Sequence, residues 1–297
     1  MHYSGITYRP PFEADSLLLQ VTSGCSHNRC SFCTMYADVP FRVSPMEEIE
    51  ADLQESKGIY RNVSRVFLEN GDPFVLPAAR LVAIAEMINS TYPGIETIAC
   101  YASIHNIMHK SVEELRELRR LKINQLNIGV ESGLDEVLKH FNKGYTLTDA
   151  YAQLEKLRTA GMDFGLNIIL GLGGSGLYRE HALANARLIN ATQPYILFTG
   201  SLHYERGCAL FEDVREGRFV ENTLGQLLQE ELAMLEALDL KNTYFFGLHP
   251  SNPVPLSGRL PEEQNQIIEK LRRAMALIPE QALQAVPKRG KEGRIVH

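Results

Sequence analysis

The chain has 297 residues, 44% of them hydrophobic, and carries 30 basic against 36 acidic side chains for a net charge of −6. A core large enough for one α/β barrel or two domains is available, and the acidic balance argues against a bulk electrostatic grip on nucleic acid. No apolar run approaches membrane-spanning length, the start lacks a signal-peptide layout, and five cysteines are too few for a disulfide framework, so a cytoplasmic protein with reduced thiols is expected.

In chain order, residues 1–15 read as an irregular lead-in, and Ser16–Thr22 as a first strand. Tyr36–Val43 is extended. Ser44-Pro-Met-Glu47 carries the cap, proline and acid of a helix start. Arg65–Asn70 is a second strand running into Gly71-Asp-Pro-Phe, and a helix spans Pro77 to about Ser90. Glu96–Tyr101 is a third strand, and Ser111-Val-Glu-Glu114 opens a helix with a capping box. Gln125–Val130 is a fourth strand. Thr148–Gly161 is a helix ending on glycine. Phe164–Leu170 is a fifth strand that runs into the glycine-rich Gly171–Gly176; a helix over Glu180–Thr192 and a sixth strand at Tyr195–Thr199 follow. Near-continuous apolar strands alternating with helices indicate parallel βα units covered on both faces. Periodicity alone leaves a partial barrel and a doubly wound sheet both open.

Three of the five cysteines lie in Cys25-Ser-His-Asn-Arg-Cys30-Ser-Phe-Cys33, directly after the first strand. Thiolates this close on a loop suit a soft metal better than they suit packing. Two occupants fit. Zinc takes four protein ligands, and His27 would complete a Cys3His set in a non-catalytic α/β protein. An iron–sulfur cluster held by three thiolates leaves one iron open to a small molecule.

This motif resembles that of the radical S-adenosylmethionine (radical SAM) superfamily, in which Cys25, Cys30 and Cys33 match the cluster ligands and Phe32 the aromatic residue before the third. The gap of four residues between the first two cysteines departs from the usual three. The resemblance implies a partial (β/α)6 TIM-like barrel over residues 1–240, with residues 241–297 a C-terminal extension of strand, proline-rich loop, helix and basic tail packed on it. It implies a [4Fe–4S] cluster and S-adenosylmethionine as cofactors, reductive cleavage of the latter to a 5′-deoxyadenosyl radical, an oxygen-sensitive centre and a reductant such as flavodoxin or ferredoxin.

The resemblance extends beyond the cysteines. Glu69, Asn70, Gly71 and Asp72 fall where the superfamily holds the amino group of S-adenosylmethionine; an ordinary Asn-Gly-Asp-Pro turn is the plainer reading. Gly129-Val-Glu131-Ser-Gly133 is similar to the subset shared by the elongator acetyltransferase-like subunit, the methylthiotransferases and the oxygen-independent coproporphyrinogen oxidases. There, Glu131, with Ser132 next, corresponds to the ribose contact. Leu170 and Gly171 belong to the segment that supports the adenine side, Asn167 on the same strand fits either core or site, and Leu202 corresponds to the turn after the sixth strand, with Gly217-Arg-Phe219 downstream. Cys100 stands where a thiol could donate hydrogen to a product radical, though a packed thiol in such a strand is the commoner case. Tyr101, His105, His203, Tyr204, Glu205 and Arg206 are further strand-end candidates, and His249 and Asn252 candidates to close the mouth. No RNA-binding or cobalamin-binding module is visible, and the substrate is not identified.

Overall fold

Residues 1–287 are described by the computed structural model; the basic stretch Lys288–Arg294, expected to be disordered, lies outside them. The strands are β1 (Leu17–Gln20), β2 (Thr22–Ser23), β3 (Arg42–Val43), β4 (Arg65–Glu69), β5 (Thr97–Ala102), β6 (Ile123–Glu131), β7 (Asp163–Leu170), β8 (Ile196–Ser201), β9 (Thr243–Gly247) and β10 (Leu256–Leu260). The helices are α1 (Met46–Ile59), α2 (Ala78–Thr91), α3 (Ile104–Met108), α4 (Val112–Arg120), α5 (Asp135–His140), α6 (Leu147–Ala160), α7 (Gly174–Thr192), α8 (Ala209–Arg215), α9 (Leu224–Glu236), α10 (Gln264–Leu277) and α11 (Glu280–Leu283).

One eight-stranded sheet runs β1-β4-β5-β6-β7-β8-β9-β10, while β2 and β3 form a small antiparallel pair. Every ladder of the large sheet is parallel except β9–β10. Its first and last strands do not pair, so the molecule is an α/β partial barrel with a seam. Alternation along the strands divides the side chains into two sets. Leu19, Leu68, Cys100, Leu126 and Leu166 point outward and pack with Leu53, Leu81, Leu115, Leu154 and Leu188 of the helices in one core. Each such fully buried side chain contributes roughly 1.5–3 kcal/mol. The opposite face turns inward, where Phe67 meets Tyr101 edge-on at 5.2 Å.

The N-terminal lead-in is more than a lead-in. Ser4 N–H donates to Gln20 of β1 at 2.6 Å, and Phe12 packs edge-on against Phe246 of β9 at 5.9 Å. The segment therefore touches both sides of the seam. Glu13, fully buried, locks it down through an ion pair to Arg65 at the start of β4.

Several boundaries moved, each for a local reason. α1 starts after Pro45 with no side-chain cap; the Ser44 N–H instead donates to the Val21 carbonyl at 3.1 Å. Residues 35–38 form a turn where an extended run was expected. α7 starts at Gly174, six residues before the expected Glu180. There the glycines serve close packing: a Cβ on Gly174 would lie 2.8 Å from the Val220 carbonyl oxygen. The proline-rich loop hides β10, because Pro253, Pro255 and Pro261 all stand outside the strand, which is an edge strand. The expected capping box at Ser111 is present, with Ser111 N–H to Glu114 at 2.7 Å. Gly161 closes α6 in the left-handed conformation.

Candidate active site

A cavity of about 390 Å³ opens at the C-terminal ends of the parallel strands, where barrels of this kind carry their chemistry. Cys25, Cys30, Cys33 and Phe32 all line it. Their loop is docked on the segment after α5: His27 Nε2 donates to the Asn142 carbonyl at 2.6 Å, Asn142 donates to the Arg29 carbonyl at 2.9 Å, and Ser31 N–H to the Phe141 carbonyl at 3.1 Å. All three thiols are free. Burial pushes Cys25 up, and Cys33 up to about 11. Burial acts on Cys30 in the same direction, but Lys143 and His27 overcome it and hold that thiol below its ordinary value. Among the described residues no three Cys, His, Asp or Glu side chains converge closely enough to hold a single ion. The thiols nevertheless feel one another's charge.

The turn after β4 brings Gly71 and Asp72 to the cavity wall. Gly71 has φ +85, and a Cβ there would collide with the Gly24 carbonyl, so glycine lets the cysteine loop lie against this turn. Asp72 is buried, accepts hydrogen bonds from Ser26 and, at 3.5 Å, Asn106, and is raised by burial. Glu69 and Asn70 do not line the cavity. Asn70 braces the wall from behind: its carbonyl accepts from Thr22 at 2.6 Å, and its side chain donates to the Ser4 carbonyl at 3.0 Å and accepts from Tyr36 at 3.3 Å. Burial pushes Glu69 up to about 7, against Thr7 and Arg9.

Glu131 reaches the cavity at a bulge in β6, with φ +71. Its Oε1 lies 3.4 Å from Lys143 Nζ, which also stands 6.0 Å from the centre of the Phe32 ring. Burial raises Glu131 and Lys143 opposes it. Burial would lower Lys143, yet Tyr145, Glu131 and Cys30 hold it above its ordinary value. Asn167 lines the cavity from β7.

Four expected contacts are placed elsewhere. Ser132 is fully buried, and its Oγ lies 3.0 Å from His181 Nε2 in a network where His181 Nδ1 meets Glu230 at 2.7 Å. The same Glu230 accepts the Gly171 N–H at 3.0 Å, so Ser132 and Gly171 belong to one strut behind the wall. Leu170 sits in the main core, and Leu202 in a smaller cluster with Phe219 and Leu210. Cys100 likewise faces the core rather than the cavity: it is 0% exposed on the helix side of β5, out of reach of a radical inside the barrel.

Of the strand-end candidates, Tyr101, His105, His203, Tyr204, Glu205 and His249 line the cavity, whereas Arg206 lies over the Phe211 ring at 5.8 Å. Asn252 ties the loop after β9 to the Thr199 and Gly247 carbonyls at 2.9 and 3.0 Å. Lys143, Tyr8 and Arg9 also line the cavity and were not foreseen. For Lys143 the available signal was its place twelve residues after Glu131, closely downstream of the segment similar to the resembled subset. Tyr8 and Arg9 sit in sequence without periodicity and gave none.

The donor set is soft thiolates partly neutralised by a lysine, lining a cavity with carboxylates and amides on its other strands. A family model, the radical SAM superfamily, matches residues 19–184. The chain belongs to the radical SAM superfamily. Members of that superfamily bind a [4Fe–4S] cluster and S-adenosylmethionine, and these are the cofactors here. The heme chaperone HemW of Bacillus subtilis (strain 168) is 24% identical over 159 residues, 53% of this chain and 41% of that protein. Methylornithine synthase superposes with a TM-score of 0.54 at 16% identity, covering 92% of this chain and 83% of that one. The radical SAM enzyme coproporphyrinogen III oxidase (HemN) from Escherichia coli superposes with a TM-score of 0.51 at 16% identity, covering 74% and 50%. At such identities the structural likeness shows the fold; the chain spans about two-fifths of the HemW length. No helix among the described residues is long and apolar enough to cross a membrane.

Proposed function

We propose that this radical SAM protein reductively cleaves S-adenosylmethionine to start radical chemistry on a substrate yet to be identified. The supporting observation is that three thiols from one loop share a cavity with Asp72, Glu131 and Asn167, delivered by three different strands or their ends. When bound, the cluster supplies one electron to a carbon–sulfur bond of S-adenosylmethionine.

The chain's own part is to hold and orient. Cys25, Cys30 and Cys33 are the thiolate ligands, and Phe32 packs beside them, its ring 5.7 Å from Phe141. Gly71 and Asp72 take the amino end of the nucleotide. Glu131 accepts from the ribose hydroxyls; Lys143, 3.4 Å away, opposes the effect of burial on it and can share its charge with the ligand's carboxylate. Asn167 faces the adenine side. Burial of the cavity wall excludes water and oxygen. A flavodoxin or ferredoxin is the reductant of this scheme.

Anaerobic reconstitution tests it directly. The expected protein is brown, with iron and sulfide near four per chain, and releases 5′-deoxyadenosine from S-adenosylmethionine when a strong reductant is added. A colourless chain holding one zinc, or a loaded chain inert toward S-adenosylmethionine, would refute the assignment.

A further inference from the structure

Part of the cavity wall carries no cofactor contact in the scheme proposed above. Tyr101 and Asn127 are register partners on β5 and β6, and both line the wall. Asn127 is 2% exposed, and its Nδ2 has no hydrogen-bond partner. It stands four residues before Glu131 on the same strand and, because of the bulge between them, three register steps or roughly 10 Å nearer the barrel floor. The N-terminal segment brings Tyr8 and Arg9 to the same cavity, and the Arg9 Nε is shielded from solvent without a partner. Phe198, the register neighbour of Asn167, adds a further ring. A buried donor left unpaired costs about 1–3 kcal/mol, and two of them line one cavity with aromatic walls.

We infer that this part of the wall is the substrate subsite, and that it takes a monoanionic carboxylic acid with a flat, unsaturated body, its carboxylate held by Arg9 and the Asn127 amide. The inference rests on the radical SAM reading above and narrows it to a substrate class. The guanidinium fork matches a carboxylate in plane and spacing, and rings such as Tyr8, Tyr101 and Phe198 favour a flat partner. Charge selects the monoanion. Among the described residues the only other lysine or arginine on the wall is Lys143, and it is held by Glu131. Glu69 lies close enough to feel the Arg9 charge, so the subsite offers at most one net positive charge. A dianionic phosphate would bring an uncompensated charge into a poorly solvated site, which is costly.

The test is ligand-observed NMR and calorimetry on the full chain, with S-adenosylhomocysteine present, using benzoate, 3-phenylpropionate, benzamide and phenyl phosphate as probes. The two carboxylates are expected to bind at least about tenfold more tightly than the amide or the phosphate, and Arg9→Gln to weaken them by about tenfold or more. Asn127→Ala is expected to weaken them by about tenfold or more, the share of one hydrogen bond to a charged group. Thermal melts of each variant confirm folding, and iron content confirms an intact cluster loop. Equal binding of benzoate and benzamide, preference for phenyl phosphate, no carboxylate binding, or an unaltered Arg9→Gln affinity would each overturn the inference. Iron content and 5′-deoxyadenosine release in the same wild-type preparation report separately on the radical SAM reading. The carboxylate titration can be repeated on cluster-free protein, so a failed reconstitution does not mask the result.

Discussion

Glu231 on α9 is fully enclosed, and burial together with its neighbour Glu230 pushes it up to about 8. The folded value lies above the ordinary carboxyl value, so the protonated form favours the fold. Its contribution is complete below the unfolded value near 4.3 and is lost as pH rises through about 8. Glu231→Gln should therefore raise stability by on the order of 5 kcal/mol near pH 9 and barely change it near pH 4. Thermal melts at the two pH values decide the point; an equal gain at both would show that burial is not the cause. At Gly71 the limit is steric. Gly71→Ala forces a Cβ onto the Gly24 carbonyl at positive φ, and should cost roughly 1–3 kcal/mol and reduce iron uptake. A variant with wild-type iron content and melting point would contradict the close approach. Residue by residue, sequence was most informative where chemistry is concentrated. Three thiols in nine positions suit a metal or cluster loop better than they suit packing. It was blind to Tyr8 and Arg9, whose meaning depends on neighbours that are distant in sequence. For Cys100 the two readings could not be separated from composition, because strand register decides which face a side chain takes, and the register puts it on the packed side.

Elements act here as struts. Ser132 after β6, His181 on α7 and Glu230 on α9 hold one another, and Glu230 also fixes Gly171 after β7. His181→Ala leaves Glu230 facing a void in a dry interior, so a loss of roughly 3–5 kcal/mol is expected in urea unfolding. Because both strand-end turns lose a support, S-adenosylhomocysteine affinity should fall with it, measured by calorimetry below the melting range. Unchanged affinity in a folded variant would confine the network to stability. The helices and strands themselves were mostly legible, since capping boxes and apolar runs are local signals. α7 and β10 were read short or missed for the same physical reason: glycine and proline were taken as breaks, whereas here glycine permits close packing and proline flanks an edge strand.

Across the whole molecule, the partial barrel could be expected from alternating strands and helices only with the help of the family resemblance, because a doubly wound sheet shares the pattern. The part no pattern revealed is the seam between β1 and β10 and the N-terminal segment that spans it. That segment is pinned by the buried Glu13–Arg65 pair. Glu13→Ala strands Arg65 and frees the strap, and should cost roughly 3 kcal/mol and speed cleavage near residues 5–15 in limited proteolysis. Cleavage at the wild-type rate would show that the strap is held elsewhere.

The hydroxyl at 132, the imidazole at 181 and the carboxyl at 230 do not line the cavity, yet a change at any one takes a hydrogen-bond partner from its neighbour in a buried interior. Such a trio is inherited as a block. Across diverging lineages these three positions should be exchanged together or not at all, even where the residues facing the cavity drift with the molecule being transformed.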